Sequence, residues 1–161
     1  MPAASGTEAR KGPKKRPMKM LGTPQLRTKA SFNFEAKSSY SVRVKVTSSN
    51  GITTQKVFII TVKNVNEAPT AMALSKTSVS KNAPVGTVVG LLSATDPDVG
   101  NTFTYSLVSG TGSTDNAKFA IVGNQLRVNG PLGTGTKSIR VRVTDQNGLS
   151  FERTFSISLT V

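Results

Sequence analysis

The chain has 161 residues, a net charge of +13, 36% apolar residues, and neither cysteine nor histidine. This composition excludes disulfides, thiolate or imidazole metal ligands, and the usual histidine base and cysteine nucleophile of enzymes. Any metal site must therefore use oxygen ligands, which suit hard cations such as calcium. The length allows one domain of ordinary size, or one small domain plus a fragment, because two full modules of about 100 residues would not fit.

The positive charge is concentrated near the N-terminus. Residues 1–30 carry a net charge of +7, are rich in Pro and Gly, and show no apolar periodicity. This pattern predicts a solvated, disordered basic tail at residues 1–24. The alternative is electrostatic contact with a polyanion, centred on Lys14, Lys15 and Arg16. No aromatic residue is interleaved with these charges, and no specific nucleic-acid motif is present.

Export and membrane signals are not visible in the sequence. A signal peptide needs an apolar run of about 7–15 residues, and the tail offers only Met18, Met20 and Leu21. No segment approaches the roughly 18–20 apolar residues of a membrane span. The sequence therefore predicts a chain without a transmembrane span and without a recognisable export signal.

The chain contains an internal repeat. Gln25-Leu26-Arg27 recurs as Gln125-Leu126-Arg127, the strand pattern of residues 41–47 recurs at 138–144, and Asn50-Gly51 recurs as Asn147-Gly148. A period near 100 residues is the size of one immunoglobulin-like β-sandwich. Because the match begins in the middle of the second copy, the sequence predicts a partial repeat at residues 25–63, a linker at 64–70 and a complete repeat at 71–161.

Both copies end in a predicted β-hairpin. In the second copy, apolar residues alternate with polar ones on each side of Asn147-Gly148, as in strands with one buried face. In the first copy, the strand after Ser41 is expected to pair with the strand before Lys63 across the turn at Asn50-Gly51. The expected partners are Val42, Val44 and Val46 on one strand and Phe58, Ile60 and Val62 on the other.

The rest of the second copy also consists of short strands separated by Gly, Pro, Asn and Asp. Six or seven such strands predict a two-sheet sandwich. The predicted segments before the last hairpin are 78–80, 86–93, 103–107, 119–121 and 125–128. The glycine-rich run 130–138 resembles a phosphate-binding loop, but Thr136 separates the last Gly from the Lys and a strand follows instead of a helix. The run is therefore interpreted as a connection between strands.

Four segments resemble the signature segments of cadherin repeats, especially the bacterial cadherin-like repeats found in tandem in large surface proteins. They are Phe32-Asn33-Phe34-Glu35, Asn64-Val65-Asn66-Glu67-Ala68-Pro69, Ala94-Thr95-Asp96-Pro97-Asp98 and Val143-Thr144-Asp145-Gln146-Asn147-Gly148. The resemblance covers roughly residues 25–161. It implies an all-β Greek-key, immunoglobulin-like sandwich preceded by a partial-repeat hairpin, and a place at the cell surface or outside the cell.

In that family calcium binds at the junction between consecutive repeats. When the family's ligand positions are transferred one by one to this sequence, the resemblance implies the ligands Glu35, Asn66, Glu67, Asp96, Asp98 and Asp145. Asn33 and Asn64 replace expected acids, so calcium affinity should be lower than in the family pattern. Ser48 and Lys81 also replace expected ligands, at positions that would serve other junctions. The alternative interpretation is that Asp96-Pro97-Asp98 is only a turn.

The resemblance therefore implies a non-catalytic, calcium-binding adhesion or spacer module, in which calcium makes the junction between repeats rigid. Its partners would be other cadherin-like repeats, including homophilic contacts, or other surface proteins. Two alternatives remain open at this point. One is a small basic protein that binds polyanions through its tail, and the other is a truncated gene fragment with a calcium-free structural sandwich.

Overall fold

The computed structural model describes residues 25–161, which contain ten β-strands and one short 3-10 helix, Asn116–Lys118. Among these residues no helix is long and apolar enough to cross a membrane. The predicted tail, including Lys14, Lys15 and Arg16, lies outside the described residues. The strands are β1 Ser39–Thr47, β2 Thr53–Thr61, β3 Ala71–Leu74, β4 Ser78–Ser80, β5 Val88–Thr95, β6 Phe103–Leu107, β7 Phe119–Val122, β8 Gln125–Val128, β9 Lys137–Asp145 and β10 Ser150–Thr160.

Strands β3 to β10 form the predicted two-sheet sandwich, and the all-β expectation is confirmed. One sheet has the order β4-β10-β9-β6 and the other has the order β3-β5-β8-β7. All neighbouring strands pair antiparallel except β4 and β10, which are parallel. The sandwich contains eight strands, one more than the sequence pattern indicated, because β3 was not predicted.

The core lies between the two sheets and is built by alternation along the strands. Ile139, Val141 and Val143 on β9 are completely buried, while the residues between them are more exposed. This alternation was predicted, and it arises because successive side chains of a strand point to opposite faces. The other buried apolar residues are Met72, Val79, Val89, Leu92, Phe119, Leu126, Val128, Leu132, Phe155 and Ile157.

A close backbone contact explains one glycine in the sandwich. Gly90 lies at a register shift of the β5–β8 pairing, and a Cβ atom there would be 2.8 Å from the Lys76 carbonyl oxygen and 2.9 Å from the Lys76 amide nitrogen. Neither backbone atom can move away as a flexible side chain could. The position therefore requires a residue without a side chain.

We expect Gly90→Ala to lower the free energy of unfolding by about 1–3 kcal/mol, the usual cost of forcing an extra carbon into a packed site. Gly130→Ala is the matched control, because nothing lies within 4 Å of the added Cβ. Urea unfolding of both variants measures the difference. Equal stability of the two variants would contradict the close contact at Gly90.

Strands β1 and β2 form a separate two-stranded antiparallel sheet. Its register differs from the predicted one: of the predicted residues only Val42 and Phe58 lie opposite each other, whereas Val44 lies opposite Lys56 and Val46 opposite Thr54. Ile60, which was expected to pair within the valine series, lies opposite Tyr40. The turn sets this register, because the Ser48 amide donates to the Ile52 carbonyl over 2.8 Å and so leaves few residues in the loop.

Candidate functional site

Three carboxylate groups from distant parts of the sequence meet beside the linker. One oxygen from each of Glu35, Glu67 and Asp98 lies within 4.8 Å of the other two. Glu35 precedes β1, Glu67 lies between β2 and β3, and Asp98 follows β5. The cluster therefore joins the segment before the hairpin to the sandwich through the linker. All three residues belong to the predicted ligand set.

A side-chain turn holds Glu35 in its place. The Asn33 Oδ1 atom accepts a hydrogen bond from the Ala36 amide over 2.6 Å, and the Asn33 carbonyl accepts one from the Lys37 amide over 3.1 Å. Asn commonly closes turns of this kind through its side chain. Asn33 replaces an acid of the cadherin-like pattern, and in this structure it shapes the turn that carries Glu35.

Asp98 connects the loop after β5 to the linker. Its Oδ2 accepts from the Glu67 amide over 2.8 Å, and its Oδ1 accepts from Asn64 Nδ2 over 3.0 Å. The Asp98 amide in turn donates to Asp96 Oδ1 over 2.9 Å. Asp96-Pro97-Asp98 is thus a turn, as the alternative interpretation held, but the turn also directs a carboxylate towards the linker.

Asn66 and Asp145 form a second group. Asn66 Nδ2 donates to Asp145 Oδ2 over 2.7 Å, and Asp145 Oδ1 accepts from the amides of Asn147 and Leu149 over 2.8 and 2.9 Å. The hydrogen bond from Asn66, followed by those from the backbone, holds the pKa of buried Asp145 below its usual value. These contacts fix the linker to the turn between β9 and β10.

The electrostatic surroundings of the cluster favour a cation. Burial raises the pKa of Glu67, and the charges of Glu35, Asp98 and Asp96 raise it further. Glu67 Oε2 and Asp96 Oδ2 are buried and have no hydrogen-bond partner within the described residues. Buried carboxylate oxygens without partners are costly, because they lose water and gain nothing in return.

No basic side chain of residues 25–161 neutralises these acids. The ion pairs found in that range join Lys137 to Asp115, and Arg140 and Arg142 to Glu152. This is notable in a chain of net charge +13, where a lysine or arginine partner would be easy to supply. The residues present fit a hard cation, because they offer several carboxylate oxygens with uncompensated charge.

Two polar residues near the cluster were not among the predicted ligands. Gln146 Oε1 accepts from the Thr102 amide over 2.9 Å, and Gln146 Nε2 donates to Asn101 Oδ1. Together with Asn64, Asn66 and Asp98 they line a polar depression beside the linker. No sequence pattern distinguished Asn101 and Gln146 from other turn residues, because Gln and Asn at turns usually serve the local backbone.

The chain is similar to known proteins in both sequence and fold. Residues 66–158 match a family model described as a bacterial Ig domain. Human protocadherin-24 EC1-2 has a similar structure, with 22% identity, a TM-score of 0.65, and coverage of 82% of this chain and 70% of that one. This share of the chain exceeds the sandwich alone, so the similarity extends into the residues before it.

Two further structures show the same fold. Protocadherin gamma B2 extracellular cadherin domains 3-6 match with 18% identity and a TM-score of 0.60, over 83% of this chain and 33% of that one. Protocadherin gamma C5 EC1-3 matches with 20% identity and a TM-score of 0.58, over 79% of this chain and 45% of that one. The chain thus spans less than half of these two structures. It belongs to the bacterial Ig domain family and has the fold of a cadherin-like repeat.

Proposed function

We propose that the Glu35–Glu67–Asp98 cluster binds calcium and that the bound ion makes the junction between the hairpin and the sandwich rigid. The observation that carries this proposal is the convergence of three carboxylates within 4.8 Å, without a basic partner in the described part of the chain. The protein would then act as a non-catalytic adhesion or spacer module at the cell surface.

The donor set matches the coordination chemistry of calcium. Calcium takes about six to eight oxygen ligands, and carboxylates offset its charge. Glu67 Oε2 and Asp96 Oδ2 supply oxygens that lack other partners. Asn66 donates to Asp145 through its amide nitrogen, which leaves its carbonyl oxygen as the ligand atom. Asp145 completes the proposed set, in which it also holds the linker in position.

The mechanical effect follows from where the ligands lie in the chain. Without a cation, the like charges of Glu35, Glu67 and Asp98 repel one another and favour separation of the three segments. A bound divalent ion attracts all three carboxylates, and this attraction outweighs their mutual repulsion and holds the segments together. A rigid junction would hold neighbouring modules at a fixed angle, which suits contacts with other cadherin-like repeats or surface proteins.

The replacement of two expected acids by Asn33 and Asn64 sets the expected affinity. Each replacement removes a negative charge from the neighbourhood of the ion. Extracellular calcium modules bind with dissociation constants of about 10⁻⁴–10⁻³ M. We place this site in that range, where it would be occupied outside the cell and largely empty at cytosolic calcium concentrations.

We expect saturating calcium to raise the thermal midpoint of the full chain by about 5 °C or more, because a ligand that binds only the native state stabilises it. Asp96→Ala should lose at least half of this shift, since it removes a buried oxygen assigned to the ion. Glu152→Gln is the control, because it removes an acid outside the cluster. An unchanged shift in Asp96→Ala would refute the assignment of Asp96.

A further inference from the structure

The turn between β9 and β10 contains the dipeptide Asn147-Gly148. Asn147 is exposed and lines the polar depression beside the linker, together with Asn66 and Asp98. Its backbone amide donates to Asp145 Oδ1, but its side chain has no hydrogen-bond partner among residues 25–161. Gly148 has a φ of 94°, and no atom lies within 4 Å of the position that a Cβ would take there. The side-chain amide of Asn147 is therefore open to solvent and unhindered by its neighbour.

Two further Asn-Gly pairs of the chain, at Asn50 and Asn129, are held more firmly. The Ser48 hydroxyl donates to Asn50 Oδ1, and Asn129 Nδ2 donates to a backbone carbonyl over 3.4 Å. The Gly148 amide is also held less firmly than its equivalent in the first copy, with a hydrogen bond of 3.3 Å instead of 2.9 Å. Asn147 thus combines a free side chain with a weakly held amide after it.

An Asn that precedes Gly reacts with its own backbone more readily than other Asn residues, because Gly has no Cβ to hinder the approach. The backbone nitrogen of Gly148 loses its proton and attacks Cγ of Asn147, the Cγ–Nδ2 bond breaks, and ammonia leaves. Water from the solvent then opens the resulting succinimide ring. Opening at Cγ gives aspartate, and opening at the backbone carbonyl gives isoaspartate, in which the main chain runs through the former side chain.

We propose that Asn147 is a site of spontaneous deamidation and that isoaspartate formed there loosens the turn that holds the linker to the sandwich. The exposed position, the free side chain and the weakly held amide of Gly148 favour the ring closure. Asn is also one of the residues that hyperthermophilic proteins avoid, because it is chemically labile. The modification weakens the junction as the protein ages.

The hydrogen bonds of Asp145 explain why isoaspartate disturbs the turn. Asp145 Oδ1 accepts from the amides of Asn147 and Leu149 over 2.8 and 2.9 Å, and the Asp145 amide donates to the Leu149 carbonyl over 3.0 Å. These contacts lie on both sides of the Asn147–Gly148 bond. Isoaspartate adds one carbon, about 1.5 Å, to the main chain between them, so Asp145 cannot keep them all. Since Asp145 Oδ2 accepts from Asn66, the linker loses a fixed partner.

The consequence for calcium rests on the proposed function, in which Asp145 completes the ligand set. We expect the isoaspartate form to bind calcium roughly tenfold more weakly, the usual effect of displacing a group that supports a metal site. The aspartate form keeps the original main chain and adds a negative charge to the depression. It should therefore bind calcium at least as tightly as the unmodified chain.

The test incubates the full chain in calcium-free buffer at mildly alkaline pH, both folded and in urea, and follows the tryptic peptide 143–153 by mass spectrometry. Asn147 is the only Asn of this peptide. We expect the mass increase of deamidation in the folded chain at a rate within about tenfold of the rate in urea, because an exposed turn needs little local opening. Asn147→Gln is the matched control and should show no increase at this position, because the longer side chain closes its ring less readily.

Chromatography then separates the isoaspartate form of the intact chain from the fresh chain. We expect its thermal midpoint in calcium-free buffer to be lower by about 3 °C or more, because it loses at least one hydrogen bond of the turn. The proposal is overturned if deamidation of the folded chain is slower than the stated range, or if the isoaspartate form has the thermal midpoint of the fresh chain. Neither readout involves calcium, so a parent chain that fails to bind calcium would refute the proposed calcium site alone.

Discussion

Replacing Phe155 by alanine is expected to lower the free energy of unfolding of the sandwich by about 3–5 kcal/mol, the usual cost of removing a buried aromatic ring. Replacing Phe58, its equivalent in the first copy, is expected to cost less than about 1 kcal/mol. The two residues occupy equivalent positions in the two hairpins. They differ in burial, because only Phe155 packs against a second sheet.

Urea unfolding followed by far-ultraviolet circular dichroism, in calcium-free buffer, measures both variants against the parent chain. Similar losses in the two variants would contradict the description of β1–β2 as an uncovered hairpin. A loss below about 1 kcal/mol in Phe155→Ala would contradict the assignment of the core.

Glu67→Gln is expected to have opposite effects with and without calcium. In calcium-free buffer at neutral pH the variant should be more stable than the parent chain, because it removes a carboxylate that burial and three neighbouring acids disfavour. With calcium the variant should bind roughly tenfold to a hundredfold more weakly, since loss of even an outer-shell group has an effect of that size. Thermal unfolding at several calcium concentrations measures both effects.

In calcium-free buffer, the difference in stability between Glu67→Gln and the parent chain should decrease as the pH falls. The folded pKa of Glu67 lies above the ordinary value of 4.5, so the native parent chain takes up a proton more readily than the unfolded chain. The parent therefore gains stability as the pH falls through the raised pKa towards 4.5. The advantage of Glu67→Gln should be complete above that window and absent below it. A constant advantage across the window would contradict repulsion within the cluster as its cause.

Much of the fold could be predicted because the chain repeats itself. The alternation of β9 and β10, with Ile139, Val141 and Val143 inward, was visible in the sequence and is present in the structure. β3 was missed because only Met72 of its four residues is buried, and two of the others are Ala, which favours no particular face. The predicted register of β1–β2 was wrong because the prediction paired apolar residues with one another and did not take account of the short turn, which sets the pairing.

The sequence named residues that lie near one another beside the linker, but it did not indicate the contacts between them. The resemblance to cadherin repeats supplied all six candidate ligands, and the structure brings oxygens of Glu35, Glu67 and Asp98 together. The hydrogen bond from Asn66 to Asp145 could not be predicted, because it joins residues 79 positions apart through a specific side-chain rotamer. The role of Asn64, which donates to Asp98, was likewise not visible as more than a lost acid.

We propose that one calcium ion joins Glu35, before the hairpin, to Glu67 and Asp98 beside the sandwich. Calorimetric titration of the full chain with calcium tests it directly, with Glu35→Gln as the variant and Glu152→Gln as the control. We predict saturable binding with a dissociation constant of about 10⁻⁴–10⁻³ M, at least about tenfold weaker in Glu35→Gln and unchanged in the control. Absence of binding in the parent chain, or equal affinity in Glu35→Gln, would contradict the proposed site.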